Sequence, residues 1–211
     1  MSPRFALKSS GLVYLIPLTI LTSLAASVVM HRTIFFDVPM MQFIGGLRAP
    51  SLTKVLEHVT SLGGTAAILA AVAGLAAVLI FKRKHRELIF VAAGVLGAGL
   101  LSALLKLIFA RERPAYLAHL VAEGGYSFPS GHGTASSALA IACLFLLWNT
   151  RWRWIALGVG SAYALAVGAS RVYLGVHYPS DVVAGWCVSC LWVGIVAYWI
   201  FTRPHRTSPS P

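Results

Sequence analysis

Apolar residues in this chain run in long blocks separated by short polar segments, without the strict alternation of a half-buried strand. A bilayer core of about 30 Å asks for about 20 mostly apolar residues per helix. Six blocks meet or approach that length, at 11–31, 61–81, 88–109, 132–148, 155–170 and 182–202. The fourth and fifth are short. The longest connection, 32–60, carries Phe35, Phe36, Met40, Met41, Phe43, Leu47, Leu52, Val55 and Leu56, broken by Pro39 and Pro50. It reads as short amphipathic helices lying in the membrane interface. No segment is polar enough for a separate soluble domain. The pattern therefore predicts an all-α integral membrane bundle of six transmembrane helices, with short interfacial helices between the first two, as one domain over 1–211. The first block is longer than the roughly 7–15 apolar residues of a signal peptide, so an uncleaved helix is expected.

Composition agrees with the pattern. Of 211 residues, 58% are hydrophobic and only 11% charged, against roughly 25% charged in a soluble domain. The excess of 17 Lys and Arg over 6 Asp and Glu would suggest nucleic acid in a soluble protein, but in a membrane protein it first reports topology. Ten cations (Arg4, Lys8, Lys82, Arg83, Lys84, Arg86, Arg151, Arg153, Arg203, Arg206) and one acid, Glu87, fall in the termini and the loops at 82–87 and 149–154. Seven cations and five acids fall on the other side. Both termini are thus expected in the cytoplasm of a cell whose inner membrane holds the chain, with loops 32–60, 110–131 and 171–181 facing out. Nucleic acid drops out as a partner. Cys143, Cys187 and Cys190 sit in apolar stretches and read as packing residues, with no redox role.

The remaining polar residues gather in three islands at the outer ends of the helices. Lys106 lies near the end of the third block, with Arg113 seven residues on and Pro114 after it. Two helical turns would place both cations on one face as an anion clamp, while Arg111 and Glu112 fit interfacial anchoring. The second island, Ser127-Phe-Pro-Ser130-Gly131-His132-Gly-Thr134, opens the fourth block. A serine and glycines at a helix start expose N–H groups that suit phosphate, and His132 can exchange a proton near neutrality. The third island runs from Ser170-Arg171 to His177 and Asp181. Four-residue spacing lets the carboxylate orient the imidazole, the arrangement of an activated nucleophile. A metal site is the weaker alternative, because His31, His58 and His119 have no partners at ligand spacing.

Three cations, an N–H cradle and two histidines suit phosphoryl transfer. His177 would attack phosphorus and His132 would protonate the leaving oxygen, with no metal or other cofactor expected. Lys106-x6-Arg113-Pro114, Pro129-Ser130-Gly131-His132 and Ser170-Arg171-x5-His177-x3-Asp181 also resemble the three signature motifs of the type 2 phosphatidic acid phosphatase (PAP2) superfamily, in order and at every fixed position. The resemblance implies a metal-independent phosphatase with His177 as nucleophile, Asp181 as its partner and His132 as general acid. It further implies phosphate binding by Lys106, Arg113, Ser130, Gly131 and Arg171. The expected substrate is a phosphorylated membrane lipid drawn from the bilayer: undecaprenyl pyrophosphate, phosphatidylglycerophosphate or phosphatidic acid. A lipid phosphotransferase acting, for example, on lipid A, and a non-catalytic phospholipid-binding protein, are the alternatives.

Overall fold

The computed structural model describes residues 12–32 and 34–202, and every regular element among them is helical. In chain order these are α1 (Leu12–Val29), α2 (Asp37–Gly46), α3 (Pro50–Ser61), α4 (Thr65–Phe81), α5 (His85–Phe109), α6 (Gly131–Leu147), α7 (Arg153–Tyr173) and α8 (Pro179–Thr202). Each apolar block of the sequence holds one helix, and α2 and α3 occupy the connection between the first two. Helices α5, α7 and α8 are each long and apolar enough to cross a membrane, and α3 and α4 are so as a pair meeting at a 47° bend. Helices α1 and α6 are apolar but shorter. Arg4, Lys8, Arg203 and Arg206, which carry part of the expected orientation, lie outside the described residues.

Large side chains such as Leu15, Ile16, Leu69, Ile80, Leu100, Leu104, Val159 and Leu165 stay exposed on the outer surface of the bundle. In water so many would mark an interface; on helices this apolar they form a lipid-facing surface. Trp148, Trp152 and Trp154 are exposed at the turn between α6 and α7, with the Arg151 and Arg153 guanidinium groups 5.0 and 5.1 Å from the Trp152 and Trp154 ring centroids. Tryptophan beside arginine is the usual composition of a membrane–water boundary.

Helix α8 runs through the interior, packed on α6, α1 and α5. Backbone and side-chain polar groups at this depth need partners inside the protein. The Ser189 hydroxyl donates to the Thr134 carbonyl (2.6 Å), and the Ser137 hydroxyl donates to Ser189 Oγ (2.9 Å), so α6 and α8 are joined by hydrogen bonds as well as packing. Helix α5 widens into one π-turn at Ala92–Leu96. The indole N–H of Trp192, on α8, donates to the Ala93 carbonyl in that turn at 2.9 Å. A wider turn releases backbone acceptors from the helical ladder, and here one of them satisfies a tryptophan that would otherwise be stranded.

Small residues let the helix starts meet. A Cβ on Gly185 would stand 2.9 Å from the Ser130 carbonyl oxygen and 3.0 Å from the Thr134 amide, both backbone atoms that cannot swing aside. Close approach of α8 to the first turn of α6 depends on this glycine. Gly185→Ala is expected to part the two helices at a cost of about 1–3 kcal/mol, the scale of an overpacked core. A lowered thermal midpoint in detergent, with the protein still inserted in membranes, would bear this out; an unchanged midpoint would refute it.

Candidate functional site

The three polar islands converge at one end of the bundle, where α5 ends, α6 begins and α7 turns into α8. Helix α6 has 17 residues and so spans about 25 Å, which puts the tryptophan-rich turn at the opposite end. The turn from α7 to α8 passes Gly175 at φ +81°, where a Cβ would lie 2.8 Å from both the Ala118 carbonyl and Arg48 Nη2. Only glycine fits that position without strain. It aims His177 inward, and the imidazole is almost completely buried.

His177 Nδ1 lies 3.4 Å from Asp181 Oδ2, one helical turn on. The same Oδ2 accepts the Tyr178 N–H at 2.9 Å. Nδ1 therefore carries the ring proton toward the carboxylate, and Nε2 keeps its lone pair, with Arg113 Nη1 3.4 Å away. Burial pushes the imidazole down to about 4, against the opposing pull of Asp181. His177 is neutral at physiological pH, the form a nucleophile requires.

Cations surround it. Arg113 donates to the carbonyls of Val176 (2.8 Å), Gly124 (2.8 Å) and Gly125 (3.1 Å). Lys106 Nζ donates to the Tyr126 carbonyl at 2.6 Å, and its stem passes Gly131, where a Cβ would stand 3.8 Å from Lys106 Cε. Arg171 is 1% exposed; it donates through Nη1 to Thr60 Oγ1 at 2.8 Å and through Nη2 to the Glu123 carboxylate. Its Nε has no partner among the described residues. His132 stands at the start of α6 against the α3–α4 elbow, with its Nε2 3.7 Å from where a Gly64 Cβ would be.

Each residue singled out in the sequence therefore lies at this end of the bundle, though two do so in an unexpected way. Lys106 and Arg113 do not share a helix face. Helix α5 stops at Phe109, where Ala110 takes the left-handed conformation (φ +45°). Pro114 disfavours helix at the residue before it, so the chain turns across the bundle end and brings Arg113 in from a loop. Ser130 serves the fold directly: its N–H donates to the Asp181 carbonyl (2.9 Å), and its Oγ accepts the Gly133 N–H (3.3 Å) to cap α6. Four residues escape the sequence reading. Thr60 and Glu123 hold Arg171, while Arg111, expected to be an interfacial anchor, bridges Asp37 (2.9 Å) and Asp181 (2.6 Å). Among the described residues no group of three or more His, Cys, Asp or Glu is placed to hold a metal ion.

Glu123 has the strongest bearing on chemistry. Burial works to raise its carboxyl, but the Arg171 charge and hydrogen bond, with smaller contributions from His132 and Arg113, outweigh that and hold it below the usual carboxylate range. It stays ionised at neutral pH and would release the arginines only as pH falls through that lowered value. Lys106, Arg113 and Arg171 against this one carboxylate leave a formal charge of two, the match for a phosphate dianion.

A helical, lipid-facing bundle that gathers a buried histidine–aspartate pair and three cations at one end is an integral membrane protein with a concentrated positive site. The chain belongs to the PAP2 superfamily, which it matches over residues 86–205. It is 35% identical over 131 residues to an undecaprenyl-diphosphatase of Sulfolobus acidocaldarius, covering 59% of this chain and 60% of that protein. It is 31% identical over 150 residues to phosphatidylglycerophosphatase B of Bacillus subtilis, covering 69% and 73%. The matched region thus spans less than two thirds of the archaeal relative. In three dimensions the chain is similar to the transmembrane PAP2-type phosphatidylglycerolphosphate phosphatase of Bacillus subtilis, with a TM-score of 0.79 at 26% identity over 90% of this chain and 98% of that one.

A phosphate ion bound between Arg113 and Arg171 would compete with Glu123 for their Nη2 atoms. Arg171 is 1% and Glu123 25% exposed, so the pair is partly desolvated and holds more tightly than the ~0.2–1 kcal/mol of a fully exposed one. Glu123→Gln is expected to lower the inhibition constant for inorganic phosphate by about fivefold or more, the equivalent of the ~1 kcal/mol upper end for an exposed pair. An unchanged or raised constant would show that the carboxylate does not compete.

Proposed function

We propose that the protein is a membrane lipid phosphatase that hydrolyses a phosphomonoester or pyrophosphate lipid through a phosphohistidine, at a site on the outer face of the inner membrane. The observation that carries this reading is the buried His177, with its Nδ1 turned to Asp181 and its Nε2 on the side of Arg113, in a cluster completed by Lys106 and Arg171. Support for a lipid substrate comes from a cavity of about 330 Å³ that begins at His132 and Gly131 and continues between α4 and α5, lined by Ile68, Leu69, Val95, Leu96 and Leu100. A phosphate held by the cations leaves its acyl or prenyl chain along those apolar walls. Undecaprenyl pyrophosphate and phosphatidylglycerophosphate are the substrates named for the relatives, and phosphatidic acid has the same headgroup chemistry.

In the proposed mechanism, the cations neutralise the dianion and the charge that spreads over the equatorial oxygens. The unpartnered Arg171 Nε is a donor reserved for one of those oxygens, as are the Ser130 hydroxyl proton and the Gly131 amide. Nε2 of His177 forms a bond to phosphorus while the bond to the leaving oxygen breaks, and His132 protonates that oxygen. Water then attacks the phosphohistidine, giving its proton to His132, and the P–N bond breaks to release phosphate and restore His177. Asp181 holds the proton on Nδ1 and balances the positive charge on the ring.

Six crossings complete the proposal, with α1 and α6 spanning as short helices and both termini in the cytoplasm. The arginines and lysines of 82–87 and 149–154 then lie inside, opposite the site.

Purified protein in detergent with EDTA is expected to release inorganic phosphate from these lipids without an added acceptor, which separates hydrolysis from transfer. His177→Ala is expected to abolish turnover, and Arg113→Ala and Arg171→Ala each to lower it by about 10²-fold or more, the cost of losing a transition-state donor. A strict requirement for Mg²⁺, or wild-type turnover in His177→Ala, would overturn the mechanism.

A further inference from the structure

Arg111 lies outside the phosphate clamp and has no part in the mechanism so far. Its Nη1 donates to Asp181 Oδ1 (2.6 Å) and Ser180 Oγ (2.8 Å), and its Nη2 donates to Asp37 Oδ2 (2.9 Å). The guanidinium carbon sits 3.9 Å from the centroid of the Tyr178 ring, which in turn meets Tyr116 edge-on at 6.4 Å. Asp37, at the start of α2, is 1% exposed. It accepts the Ser180 N–H on Oδ1 (2.9 Å) and the Ser180 hydroxyl on Oδ2 (2.6 Å), so it caps α8 from 143 residues away.

We propose that Arg111 and Asp37 are positioning residues for His177, acting through the Asp181 carboxylate. The proposal rests on the assignment of His177 as nucleophile. Its first ground is geometric. The carboxyl torsion of an aspartate is soft and nearly two-fold, and the contact from Asp181 to His177 is long at 3.4 Å. Arg111 takes Oδ1 and the Tyr178 amide takes Oδ2, leaving one orientation, with Oδ2 toward Nδ1. The second ground is electrostatic. Arg111 alone would cancel the charge of Asp181 and weaken its hold on a cationic imidazole. Shared with Asp37, Arg111 leaves the trio with one net negative charge, and His177 is the group that charge faces.

Other groups facing His177 are Arg113 in the loop after α5, Lys106 on α5, Arg171 on α7 and His132 on α6. None of these shares a hydrogen bond or ion pair with the Arg111 side chain, so substitutions at Arg111 and Asp37 would change the dyad while leaving the hydrogen bonds of the phosphate clamp in place. Their signs differ. Removing the Arg111 cation strengthens Asp181 as a partner for protonated His177, which moves the acid limb of kcat/KM to higher pH. Neutralising Asp37 leaves the Arg111 charge less balanced, which moves that limb to lower pH.

The test uses the full chain in detergent, with short-chain phosphatidic acid as substrate and inorganic phosphate as inhibitor, on Asp37→Asn, Arg111→Gln, Arg111→Lys and the double variant Asp37→Asn/Arg111→Gln. Asp37→Asn and Arg111→Gln are expected to lower kcat by about 10–100-fold, the scale for groups that orient a catalytic side chain. KM and the phosphate inhibition constant are expected to stay within about threefold. Arg111→Lys should regain part of the loss, and the double variant should fall little below the worse single one, since both act through one carboxylate. Acid limbs shifted in opposite directions complete the expected result. Turnover within about twofold of wild type in both single variants overturns the proposal, as does a loss of phosphate affinity as large as the loss of kcat. If His177→Ala keeps turnover, the nucleophile assignment fails and this proposal with it. If His177→Ala is inactive while Asp37→Asn and Arg111→Gln work normally, only the positioning role fails.

Discussion

Asp181 joins the fold to the chemistry. Its backbone carbonyl accepts the Ser130 amide at the start of α6, and its carboxylate takes Arg111, the Tyr178 amide and His177. A charged group this deep is expensive unless its oxygens are filled, and here both are. The contacts tie together the end of α5, the first turn of α6 and the turn from α7 to α8. Breaking a buried pair of this kind by deleting one partner costs about 3–5 kcal/mol. Helix packing and the geometry of His177 consequently stand or fall together at this carboxylate, and the missing side chain of Gly185 one turn along α8 makes the approach sterically allowed.

Beyond that junction, the site illustrates how a membrane protein accommodates polar groups near lipid depth. Several donors are satisfied by backbone acceptors of the loop between α5 and α6: Lys106 by Tyr126, Arg113 by Gly124 and Gly125. The loop therefore does more than connect helices, because it orders the cation stems in directions that converge. Thr60 and the Gly63–Gly64 turn do the same from the α3–α4 elbow, where the 47° bend brings a hydroxyl to Arg171 and an open backbone to His132. A straight span through this region would present side chains to both groups and narrow the cavity that leads from His132 between α4 and α5.

Much of this is legible in the sequence, for a physical reason. Membrane helices advertise themselves by uninterrupted apolar length, so the helix content and the place of each block can be read directly. His177 with Asp181, and Ser130 through His132, lie within one helical turn, where spacing fixes geometry. The residues that escape such a reading meet their partners across long stretches of chain: Asp37 with Ser180, Thr60 with Arg171, Glu123 with Arg171. A lone aspartate in an apolar connection carries no periodic signal. Asp37 falls in a segment that reads as interfacial, whereas it caps α8. The shared helix face for Lys106 and Arg113 fails for a local reason, the left-handed Ala110, and Pro114 immediately after Arg113 is the available warning.

The charges of the site sort into two kinds, and burial decides which is which. Asp37 and Asp181 are buried, with their oxygens engaged by Arg111 and by groups of the α7–α8 turn and the start of α8. Glu123 is a quarter exposed and reaches its arginines from a loop, so of the three carboxylates it is the one with a path to water. A clamp of three cations with no counter-charge would repel itself in a medium where screening is weak. The fixed pair of aspartates does not help there, because both are already engaged by Arg111. Glu123 does, by pairing with Arg171 and Arg113, and in the proposed function it would yield to an ion of higher charge. By this division of fixed and movable anions, the same small volume holds a buried histidine and a surplus of positive charge side by side, as the proposed phosphoryl transfer to histidine would require.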